Sequence, residues 1–210
     1  MANRRRTSWI DQFVLREDVN NPFVQVITSA QQVARVAEDR VGLTRAEYDD
    51  VATARYQARV LEDLARMLDE DVVAHGRKAD EALAGETDPV VRARVLTNAL
   101  TGAVRASAML VDACHTLLGL SEKLLVIRRP GSRLTLMAAV EQTRAAASTA
   151  HLTVLVNLPR ITDVALYDEL NSGIDTFDVT LARANRVASA LRSEVRVGQA
   201  MPVQRATQLR

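Results

Sequence analysis

The sequence predicts an all-α protein: an elongated bundle of five or six principal helices, completed by pairing with a second copy as a homodimer. Three observations carry that expectation. Apolar residues recur at steps of three and four along most of the chain, and no run alternates as a half-buried strand would. Strong N-cap signals stand in front of the long periodic stretches. Residues 130–163 read PGSRLTLMAAVEQTRAAASTAHLTVLVNLPRITD, small and apolar almost throughout. A helix with no polar face to offer water belongs inside a bundle. Long apolar-edged helices with only 3% aromatic residues often finish their burial across a dimer interface.

Each element has its own local reason. Residues 9–15 read as a short helix with Trp9, Ile10, Phe13 and Val14 on one side. Asn21-Pro22 opens the next helix, because Asn caps and Pro suits the first turn; Gly42 is expected to stop it after about Val41. Thr44-Arg45-Ala46-Glu47 is a capping box. From it a long helix is expected to reach about Leu83, with the stripe Val60/Leu61, Leu64, Leu68, Val72, His75, Ala79 and Leu83. Asp88-Pro89 caps another helix reaching about Leu118, where Gly119-Leu120-Ser121 predicts a break before a short helix over 122–127. The apolar helix covers 132–158. A last helical region fills 163 to about 197, broken near Asn171-Ser172-Gly173, and the tail after Gly198 is expected to be loose. No linker splits the chain, so 1–7 is a basic tail, 8–198 a single helical-bundle domain and 199–210 a loose tail.

The 210 residues, 48% hydrophobic, are enough for a full core. A formal net charge of +1 offers no global attraction for nucleic acid or for a membrane surface, and Arg4-Arg5-Arg6 reads as a solvated tail. The single cysteine, Cys114, excludes an internal disulfide and suits a reducing cytoplasm. No apolar stretch follows the first residues as a signal peptide would require. The longest uncharged run, between Arg144 and Arg160, is too short and too rich in Ala, Thr and Ser for a membrane span. The expectation is a cytoplasmic protein with a small-molecule substrate and no nucleic-acid or membrane partner.

Phosphate loops, zinc-spaced Cys or His clusters and nucleophile elbows are all missing, so no metal and no cofactor are expected. Asp71 and His75 lie four apart and share a helix face. A carboxylate orienting an imidazole in an apolar cleft makes an acid/base pair; the alternative is a boundary ion pair without catalytic duty. Asp112 and His115 lie three apart beside Cys114, which reads as a small core residue. Glu141 and Arg144 are charges in an otherwise apolar helix, able to pair with each other or to reach a substrate. His151, among Ala147, Val154 and Leu155, is either a third catalytic group or a satisfied core histidine.

Several blocks resemble the cyclodeaminase/cyclohydrolase family of folate enzymes. They are Ile10-Asp11-Gln12-Phe13, Leu43-Thr44 with Tyr48, the run Leu68-Asp69-Glu70-Asp71-Val72-Val73-Ala74-His75, residues 87–118, and 130–163. The resemblance implies an all-helical homodimer acting at an amidinium-like carbon. It places Asp71 on a family Asp, Asn157 on a family Asn that would donate to a polar ligand atom, and Asp163 on a family Asp. Where the family carries a Pro-Gly-Gly-Gly-Ser loop, this chain reads Asn21-Pro22-Phe23-Val24-Gln25. The resulting expectation is a divergent enzyme performing acid/base cyclisation or elimination on a small molecule other than folate. Asp71, His75 and His151 would be catalytic, and Asn157, Glu141 and Arg144 would bind substrate. The alternatives are a genuine folate cyclohydrolase or cyclodeaminase, and a non-catalytic helical dimer.

Overall fold

The computed structural model describes residues 9–12, 21–39, 42–127, 132–172 and 174–206. Among them are six α-helices and no strand: α1 (Pro22–Val36), α2 (Arg45–Gly85), α3 (Pro89–Val126), α4 (Arg133–Asn157), α5 (Val164–Ser172) and α6 (Ile174–Ala206). A single 3₁₀ turn, Trp9–Gln12, precedes them, and another, Leu158–Arg160, follows α4.

The caps form as their side chains require. Asn21 Oδ1 accepts from the Phe23 amide at 2.9 Å and the Val24 amide at 3.5 Å. Thr44 and Glu47 close a reciprocal capping box. Asp88 Oδ1 accepts from the Val90 amide at 2.8 Å, with Pro89 in the first turn. On α2 the buried residues Val51, Ala54, Ala58, Leu61, Ala65, Leu68 and Val72 alternate steps of three and four, the seven-residue repeat of helices packed nearly parallel. The many alanines let α1 and α3 approach this stripe closely.

Four expectations about elements are corrected. α1 ends at Val36 rather than near Val41, its last turn closed by the Ala37 amide on the Val33 carbonyl at 3.1 Å. Gly42 has φ +73°, so it serves the turn after the helix rather than its immediate cap. α3 runs unbroken through Gly119. Leu117, Leu118, Leu120 and Leu124 are all buried there, and that packing outweighs the roughly 1 kcal/mol that one glycine costs a helix. α6 continues as far as Ala206, past Gly198. On α2, Val60 and Leu83 face outward, and the core takes Leu61 and Ala82 instead. Phe13, Val14 and the turn at 128–131 lie outside the described residues.

α4 is central, lying against α1, α3 and α6, while α2 packs on α1 and α3. It is not buried all round. Leu136, Ala139, Val140, Ala146, Ala147, Ala150 and Val154 face the core, whereas Leu134, Leu152 and Val156 are 64%, 50% and 66% exposed. A large apolar core joins α1–α4 and α6; a smaller one, built from Leu100, Val104, Val154, Leu158, Ile161, Leu166 and Leu170, seals the end where α3, α4 and α5 meet. Trp9 is packed against both, and its amide donates to Asp80 Oδ1 at 2.7 Å. By length and composition α3 could cross a membrane, but 61% of its most apolar window is buried inside the bundle.

Candidate functional site

Above the smaller core, α3, α4, α5 and the start of α6 leave an open cleft of about 270 Å³. Arg105, Met109 and Asp112 come to it from successive turns of α3, His151 and Val154 from α4, Glu169 and Leu170 from α5, and Thr176 from α6. The helical repeat explains this convergence, since residues three and four apart share a face. Arg105 and Glu169 make a loose pair of 3.8 Å at the rim, both largely exposed, which contributes little to stability.

Two titratable groups face the cleft from opposite helices. Burial raises the Asp112 carboxyl above its ordinary value, and the nearby His115 partly opposes this. Burial lowers His151 below the ordinary imidazole value, against the opposing pull of Asp178. Both shifts favour the uncharged form. The His151 ring is stacked on Phe177 of α6, with centroids 3.8 Å apart and planes 4° from parallel. That contact shields one face and fixes where the two ring nitrogens point. Asp112 itself stands at the exposed side of the cleft, and a carboxyl group and an imidazole lining one cleft are the two kinds of group that proton transfer needs.

Of the residues that the sequence assigned to catalysis or substrate binding, His151 alone lines this cleft. Asp71 is exposed on the outer face of α2, and among the described residues no hydrogen bond joins it to His75. The two share a helix side by spacing, but the bundle buries the Leu68–Val72 edge and turns Asp71 to solvent. His75 is half-buried against α3 at Gly102 and borders a separate depression of about 160 Å³ with Lys78 and Asn98. Asn157 is 0% exposed, and its Nδ2 donates to the Thr153 carbonyl at 2.8 Å. It lines neither of these two depressions. Glu141 pairs with Arg144 at 2.9 Å and with Arg192, so both charges tie α4 to itself and to α6. Asp163 caps α5, accepting from the Leu166 amide at 3.1 Å. Cys114 is a core residue whose thiol burial pushes far up, with Asp112 adding to the shift.

Asp112 is the cleft residue to which the sequence, pairing it only with His115, assigned no role. Its spacing to His115 is visible, but its convergence with His151, 39 positions away by number, is a tertiary fact without a local signal. Among the described residues no three His, Cys, Asp or Glu side chains converge as metal ligands would.

Comparison with known proteins adds the following. Residues 28–176 match the family model described as formiminotransferase-cyclodeaminase. The crystal structure of formiminotetrahydrofolate cyclodeaminase from Thermotoga maritima superposes with a TM-score of 0.64 at 18% sequence identity, covering 90% of this chain and 98% of that one. At that identity the likeness shows the fold. Comparison with curated proteins gives no match.

Proposed function

The chain belongs to the formiminotransferase-cyclodeaminase family, and from that premise we propose that it is an enzyme performing acid/base cyclisation or elimination at a carbon–nitrogen centre of a small molecule other than folate. The observation that carries the reading is geometric: Asp112 and His151, a carboxyl group and an imidazole, line one cleft from α3 and α4. In such a reaction a substrate nitrogen adds to a C=N carbon, and His151 takes the proton that nitrogen sheds. Asp112 delivers a proton to the nitrogen that leaves, so that it departs as a neutral amine.

Two features support a substrate other than folate. The cleft, at about 270 Å³, falls just below the roughly 300–1,000 Å³ usual for ligand pockets. At the start of α1, where the family has its glycines, Phe23 is 0% exposed and the Asn21 side chain already occupies the Phe23 and Val24 amides. Those N–H groups are spent on the cap rather than offered to a ligand. The second reading, formiminotetrahydrofolate cyclodeaminase itself, is favoured by the family match and by the name of the structural neighbour.

The experiment is ammonia release by the purified protein from formiminotetrahydrofolate and from small formimino compounds such as formiminoglycine and formiminoglutamate, with methenyltetrahydrofolate hydrolysis run beside it. Turnover of the small compounds alone supports the proposal. Turnover of a folate, lost on Asp112→Asn, restores the second reading, and no turnover of any points to a non-catalytic dimer.

The exposed apolar edge of α4, Leu134, Leu152 and Val156, supports a homodimer in which a second copy covers it. A cytoplasmic, soluble enzyme fits this picture.

A further inference from the structure

One turn beyond Asp112, α3 carries His115, half-buried and bonded to α6. Its Nε2 lies 2.9 Å from Arg183 Nη1 and its Nδ1 lies 3.0 Å from Thr180 Oγ1. A guanidinium can only donate, so Nε2 is the acceptor. Thr180 donates its own hydroxyl hydrogen to the Thr176 carbonyl at 2.7 Å, which leaves its oxygen to accept from Nδ1–H. Arg183 is held from behind by Glu122, Nε to Oε2 at 2.8 Å. One state of the imidazole satisfies every contact: neutral, with its proton on Nδ1.

We propose that His115 is a positioning residue for the cleft, which in that single state clamps the first turns of α6 against α3. Thr176 is a wall of the cleft and Phe177 is the ring on which His151 rests; both lie in the first turn of α6, directly before the Thr180 that His115 holds. The His115 bonds to Thr180 and Arg183 tie that turn of α6 to α3. The groups that act on the imidazole come from both helices: Asp112 and, through Arg183, Glu122 from α3, and Arg183 itself from α6. A solvent proton added at Nε2 puts a second N–H against the guanidinium and leaves neither an acceptor. The clamp then opens. The importance of the wall rests on reading the cleft as the reaction site; the clamp itself does not.

The test is amide NMR of the full-length protein, following Thr176 and Phe177 in wild type, His115→Gln and His115→Phe. Gln is uncharged at every pH in the titration and offers one acceptor, Oε1, for Arg183 and one donor, Nε2, for Thr180; Phe keeps a ring and offers neither. The expected result at neutral pH is that H115F shifts the two amides and weakens the ring-current shielding of the His151 protons, while H115Q leaves both near wild type. On acidification the wild-type amides should move with the same midpoint as the His115 imidazole, and that phase should vanish in H115Q while the His151 titration persists. Unmoved amides in H115F, or the acid phase surviving in H115Q, would overturn the proposal. Should H115F fail to fold, the H115Q titration decides alone. None of these signals needs turnover, so failure of the proposed reaction reads separately.

Discussion

His151 and Phe177 lie face to face, ring centroids 3.8 Å apart, joining α4 to the first turn of α6 beside the cleft. The stack keeps water from one face of the imidazole, and burial is the main cause of its lowered affinity for a proton. Phe177→Ala should therefore move the His151 titration midpoint up toward the ordinary imidazole value. Proton NMR reads this directly, since the chain has only three histidines. An unchanged midpoint would mean the stack contributes nothing to the desolvation.

His151 also makes stability depend on pH, with a definite sign. Its folded-state value is depressed, so the unfolded chain binds the proton first. The contribution is fully present above the ordinary histidine value of about 6.5 and is lost as pH falls through it. Urea midpoints at pH 7.5 and pH 5 should drop more for wild type than for His151→Gln. Equal drops in the two proteins would contradict this.

Asp112 has the opposite linkage. Its raised value means that the fold disfavours the carboxylate, a cost that appears as pH rises above the ordinary carboxylate range. Asp112→Asn should thus unfold at a midpoint equal to or above that of wild type at pH 7, while activity is lost. A destabilised D112N protein would show the carboxylate to be a structural partner rather than a group held for chemistry.

Gly102 and His75 are coupled by contact. A Cβ at position 102 would stand 2.9 Å from His75 Cδ2 and 3.0 Å from Nε2. Alanine would otherwise favour the helix by roughly 1 kcal/mol. A double-mutant cycle over Gly102→Ala and His75→Ala should therefore show a coupling of about 1 kcal/mol or more, with G102A gaining stability only once His75 is gone. Additive effects would mean that the ring swings aside freely.

Local chemistry made the framework legible in advance. Asn21, Thr44 and Asp88 announce helix starts because capping is settled within three residues, and the Asp163 cap follows the same logic. Gly119 misled because helix propensity is weaker than the burial of its leucine neighbours. The site was less legible. Asp71 and His75 share a helix side by spacing, yet whether that side meets a neighbour depends on how α2 is rotated in the bundle. Asp71 came out on the water side. Asn157 reads as a ligand donor, but its Nδ2 donates to the Thr153 carbonyl of its own helix. Asp112 acquires meaning only when α4 is laid across α3.

The homodimer is tested by the exposed edge of α4. Light scattering should give twice the chain mass for wild type at micromolar concentration, and a smaller mass for the double variant Leu152→Glu, Val156→Glu. A monomeric wild type would remove this part of the account.

Where the chemistry happens is decided most directly by initial rates of ammonia release from the small formimino compounds, compared among wild type, Asp112→Asn, His151→Gln and Asp71→Asn. A positioned acid or base contributes about 10²–10⁴-fold. The account predicts losses of that order for D112N and H151Q, with D71N at the wild-type rate. Loss of turnover in D71N with D112N and H151Q still active would move the site to α2 and contradict it.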